Sequence, residues 1–88
     1  MHRPPAHPGD HLRDYLKANG YTPLSFALLV GIAPRHIFGL LHRRTSLTPR
    51  MAWVLGVVTD READAWLALQ AAWDENAAAM KTRPRLVL

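Results

Sequence analysis

Residues 22–43 read TPLSFALLVGIAPRHIFGLLHR, from Thr22 to Arg43. Thr22 can cap free helix amides, and Pro23 suits a first helical position, where no amide donor is needed. Phe26, Ala27 and Val30 then repeat on one face, and Gly31 stops the run. Pro34 opens a second helix after Ala33, with Ile37, Leu40 and Leu41 as its apolar side. The spacing therefore predicts helices over residues 22–30 and 34–43, joined by a tight turn at Gly31. Small Ala27 allows close approach, while Ile32, Ile37 and Leu41 anchor the second helix. Its other side, carrying Arg35, His36, Phe38, Gly39 and His42, is left for another partner. This is the pattern of a helix-turn-helix, whose second helix enters a major groove.

Three further helices are expected around this pair. One covers residues 9–19, with Asp10 in its first turn, Leu12, Tyr15 and Leu16 as its stripe, and Gly20 as its stop. Thr48 and Pro49 repeat the threonine-proline start, and Met51, Ala52 and Leu55 form the inner side of a fourth helix. The fifth and longest spans about residues 60–80. Thr59 and Glu62 have the spacing of a capping box, with Asp60 as a competing cap. Trp66, Leu69, Gln70, Trp73, Ala77 and Met80 recur along it at helical spacing. The expected architecture is all-α, with five helices in one domain over residues 9–81. Residues 1–8 are expected to be a flexible N-terminal segment and residues 82–88 a tail. Gly39 within the third helix costs about 1 kcal/mol relative to alanine, so a close approach there is expected to offset it.

The 88 residues suffice for one modest core. The formal net charge of +4 favours a polyanionic partner. Arg35, His36, His42, Arg43, Arg44 and Arg50 crowd the middle of the chain, and Asp60, Glu62, Asp64, Asp74 and Glu75 gather later. Cysteine is absent, which excludes a disulfide scaffold and cysteine-based zinc fingers. No signal peptide or membrane span is visible, so a cytoplasmic protein is expected. Ser25 and Ser46 lack a histidine-carboxylate context, and no phosphate-cradling glycine loop occurs. No catalytic residues, cofactor or metal site are therefore expected. His7 and His11, four apart, lack the further ligands of a zinc site.

Several segments together carry a family resemblance. These are His7-Pro8-Gly9-Asp10, Gly20-Tyr21-Thr22, Phe26-Ala27, Gly31-Ile32, Ile37 and Leu40-Leu41. Leu47-Thr48-Pro49 with Met51-Ala52, and Trp66-Leu67-Ala68-Leu69-Gln70 with Asp74, complete the set. In this order and at these separations the chain resembles the HigA/VapI-type antitoxins, within the Xre-like (lambda-repressor-like) helix-turn-helix class. The resemblance implies a homodimer that binds a palindromic operator in its own promoter. It also implies neutralisation of a small RelE/HigB-like toxin. Residues 33–44 would correspond to the recognition helix and its following loop. Pro23 stands where the family commonly has glutamine, Ala33 where serine or threonine usually caps, and Phe38 and Gly39 where residues are usually polar. These departures imply a different operator or weaker DNA binding, and motivate the alternative of a protein-interaction module or a phage or plasmid regulator without a toxin.

The expected DNA-contacting set is Arg35, His36, Phe38, Gly39, His42, Arg43, Arg44 and Arg50. Arginine grips guanine with two hydrogen bonds, and basic loop residues hold phosphates. The expected dimer interface is Trp53, Leu69, Trp73 and Met80, because long exposed aromatic stripes mark interfaces.

Overall fold

The computed structural model describes residues 5–82. Five helices follow one another: α1 Pro8–Ala18, α2 Pro23–Val30, α3 Pro34–Leu41, α4 Pro49–Val58 and α5 Ala63–Thr82. No strand occurs among the described residues. The all-α expectation and the order of the elements hold.

Four helices start with proline at their first turn. Thr22 caps α2 by accepting from the Ser25 amide, and Ser25 Oγ accepts from the Thr22 amide in return. Thr48 caps α4 through the Met51 amide. Gly31 closes α2 in the left-handed region at φ 69°, a conformation that a side chain would strain.

The core joins Leu12 and Leu16 of α1, Phe26 and Ala27 of α2, and Ile37, Leu40 and Leu41 of α3. Leu47, Met51, Ala52 and Leu55 with Trp66 complete it. The helix-turn-helix pair α2–α3 packs on itself, α1 backs α3, and α4 lies along α5. Tyr15, Tyr21 and Phe26 form an aromatic cluster at the α1–α2 corner. The Tyr15 hydroxyl donates to the Val58 carbonyl, tying α1 to the end of α4.

Two boundaries differ from expectation. The N-terminal segment is ordered by residue 7: His7 is the cap of α1 and, like Pro8, is buried. His7 Nδ1 accepts from the Gly9 amide, and Asp10 accepts from the His7 amide, so the cap is reciprocal. At the other end, Thr59 and Glu62 form no capping box. The Thr59 hydroxyl donates to the Leu55 carbonyl and accepts from the Trp66 indole and the Arg61 amide. That hydroxyl closes α4 and holds the buried indole, and α5 starts only at Ala63. The segment at residues 83–88, expected to be part of the tail, lies outside the described residues.

Candidate nucleic-acid interface

The aliphatic side of α3 is sunk in the core through Ile37, Leu40 and Leu41. Its opposite side is uncovered. Arg35, His36, Phe38 and His42 are exposed, as are Arg44 and Arg50 beyond it. Among the described residues, the side chains of Arg35, Arg44 and Arg50 have no hydrogen-bond or ion-pair partner.

Each end of α3 is held differently. At its start, Ala33 makes no side-chain cap, and its carbonyl accepts from the His36 and Ile37 amides. At its end, the Arg13 guanidinium donates to the Leu41 carbonyl. The Gly39 carbonyl accepts from both the Arg44 and Thr45 amides. A side chain at Gly39 would meet the Thr45 side chain, with the Thr45 methyl 2.8 Å from the added carbon. Gly39 therefore lets the chain leaving α3 fold back closely. That is the close approach expected there, and it makes Gly39 a packing position with no side chain to offer a groove.

Arg43, expected among the DNA contacts, is engaged elsewhere. It adopts φ 59°, and its guanidinium donates to both Asp10 oxygens, at 3.1 and 2.8 Å. The same group lies over the Trp73 ring, 5.3 Å from its centre. Trp73 in turn meets His7 edge-on at 5.0 Å. His7, Asp10, Arg43 and Trp73 thus form one cluster that fastens α1, the end of α3 and α5. Within the single chain Arg43 fastens the end of α3 to α1 while 53% of its side chain stays exposed, and Trp73, half-buried, packs beside it. Leu69 also packs against the core. Trp53 and Met80 remain open, 66% and 69% exposed.

Burial lowers the His7 pKa below its ordinary value, Asp10 and Asp74 raise it less, and the Arg43 charge lowers it further. The neutral ring fits the cap, because Nδ1 must accept from Gly9. Partial burial raises the Asp10 pKa, but hydrogen bonds from Arg43 and the His7 amide, with the Arg43 charge, outweigh it and hold the carboxyl below its usual range. The hydrogen bond and charge of Asp10 raise the Arg43 pKa.

The loop leading out of α3 is pinned as well. Buried Gln70 accepts from the Leu47 amide and donates to Asp74. Two open clefts flank α3. One, on the α4 side, has His36, Thr48 and Arg50 on its lining. The other lies on the α1 side between Arg13, Lys17, Pro23, Phe38 and His42. Helical periodicity located the exposed α3 residues. It was silent on the clusters around His7 and Gln70, whose partners are far apart in sequence.

The fold recurs in known proteins. An HTH-type transcriptional regulator of Escherichia coli (strain K12), YddM, itself uncharacterized, is 38% identical over 66 residues, covering 75% of this chain and 70% of YddM. The antitoxin GraA has the same fold with a TM-score of 0.85 and 30% identity, over 91% of this chain and 87% of GraA. An addiction module antidote protein of the HigA family from Coxiella burnetii superimposes with a TM-score of 0.85 at 26% identity, over 92% of this chain and 89% of that one. The chain belongs to the HigA-type antitoxin family of helix-turn-helix proteins. No family model matches the chain. The five-helix frame leaves one side of α3 on the surface, and no described helix is long and apolar enough to cross a membrane.

Proposed function

We propose that this HigA-type chain is a homodimeric, sequence-specific DNA-binding repressor and the antitoxin of a type II toxin-antitoxin module. Its operator is a palindrome in its own promoter, and its protein partner is a RelE/HigB-like toxin. One observation carries the DNA reading: the side of α3 bearing Arg35, His36 and His42 is open, while Ile37, Leu40 and Leu41 fix its back to the core. A two-fold axis would place two copies of α3 in successive major grooves about 34 Å apart. Arg35 takes a guanine through its O6 and N7, and Arg44 and Arg50 take phosphates. The family membership supports the antitoxin role.

A gel-shift titration on the promoter fragment of the chain's own gene tests this. Tight binding that weakens steeply with salt and exceeds binding to a scrambled fragment is expected. Equal affinity for both fragments would sink the repressor reading. Co-purification with the product of the adjacent gene tests the toxin arm.

Ala33 favours a second reading, a protein-interaction module. Without a side-chain cap, the start of α3 lacks a hydroxyl that would reach a phosphate. Toxin capture without promoter binding is the outcome that distinguishes it.

A further inference from the structure

We propose that α3 reads the C5-methyl group of a pyrimidine through Phe38, one helical turn from the guanine taken by Arg35. This rests on the DNA reading above and names what the groove must present.

Phe38 is an aromatic side chain on the open part of a recognition helix, 41% exposed. Its ring is held in place: it stacks on His42 with centres 6.5 Å apart and planes 14° from parallel. The lining of the cleft beside it includes Arg13 and Lys17, so an exposed apolar ring sits beside a cationic rim. A rim of that sign suits a phosphate backbone, and a major groove offers such a ring one apolar group, the C5-methyl of thymine.

The rest of α3 makes that group the informative one. Between Pro34 and Leu41 there is no Asn, Gln, Asp or Glu. The helix therefore lacks the amide that grips adenine with two hydrogen bonds, and the carboxylate that accepts from cytosine. Arg35 covers guanine. An A·T pair facing the middle of α3 is left to be distinguished by its methyl. Gly39, with no side chain, adds no competing contact beside the ring. Arg35 and Phe38 are three residues apart, about one 5.4 Å turn. The methyl should thus lie within about two base pairs of the guanine. Thymine and 5-methylcytosine present the same methyl, so both are candidate sources.

The test uses the full chain and duplexes enriched by it from a randomised library. Each thymine of an enriched duplex is replaced in turn by deoxyuridine, which removes only the methyl. One thymine per half-site is expected to lose about fourfold in affinity, the worth of one buried methyl. With Phe38→Ala, the thymine and uracil duplexes should bind equally. The variant should keep the parent's helical spectrum and a cooperative melt well above the binding temperature, which separates lost reading from lost folding. Placing cytosine or 5-methylcytosine at the sensitive position distinguishes the sources. A gain on methylation equal to the thymine effect shows that the methyl alone is read; no gain assigns the contact to thymine. Enriched duplexes indifferent to uracil, or a uracil effect that persists in Phe38→Ala, overturn the methyl reading and leave the repressor standing. Failure to enrich any duplex overturns both.

Discussion

A single imidazole governs how the start of α1 is fastened. His7 is 2% exposed and accepts from Gly9 through Nδ1, so protonation would replace an acceptor with a donor. Its folded pKa lies below 6.5. The stability it contributes is present above that value and is lost as pH falls through the folded pKa. Asp10, held below 3.8, contributes stability that is lost only at lower pH, as its own folded pKa is passed. Thermal melting across pH should therefore show a plateau above 6.5 and two successive declines below it. His7→Asn keeps a capping acceptor without titrating there, and should remove the upper decline alone. A single decline in the parent protein would contradict this account. Gly9 is a second residue with a sharp expectation. A side chain there would overlap the Leu40 backbone carbonyl. Gly9→Ala should cost about 1–3 kcal/mol, because overlap with backbone outweighs the better helix propensity of alanine. Chemical denaturation should show a lower midpoint with an unchanged slope.

At the scale of the element, α3 and its exit divide the arginines by role. Arg35→Ala should weaken specific binding by about 1–3 kcal/mol and relax the preference at one base pair. Arg44→Ala should weaken binding to all sequences alike and reduce the salt slope by about 1. Arg43→Ala should leave the salt slope unchanged and lower the melting temperature, since its guanidinium is bound to Asp10 and Trp73. A reduced salt slope in Arg43→Ala would return that residue to the DNA-facing set. The sequence legibly marked α2, α3 and the start of α4, because proline, threonine and Gly31 act on their immediate neighbours. It misdirected at α5, where Thr59 and Glu62 have capping spacing. Spacing does not reveal that the Thr59 hydroxyl already serves the Trp66 indole and the Arg61 amide. Arg43 and Trp73 were illegible for a related reason: their partners lie across the fold, and no local period records them. The open side of α3 was legible because burying one side of an eight-residue helix leaves the other side to solvent.

The whole molecule poses the question of assembly. The dimer surface expected from Trp53, Leu69, Trp73 and Met80 divides in the folded chain. Leu69 and Trp73 are packed against their own core and cap. Trp53 is largely exposed, and Val57, one turn along α4, is exposed as well, so both project from one side of that helix. Paired large apolar groups left in water on α4 are a stronger mark of an interface than residues that are half-buried within their own chain. Trp53→Glu should therefore convert the proposed homodimer to a monomer in sedimentation velocity, with an unchanged helical spectrum. On a palindromic duplex the variant should bind each half-site separately and more weakly, because the two copies of α3 are no longer held together. Trp73→Ala should do the reverse, lowering the melting temperature while the dimer persists. If Trp53→Glu stays dimeric and Trp73→Ala dissociates, the α4 surface is not the interface and α5 carries the contact between copies.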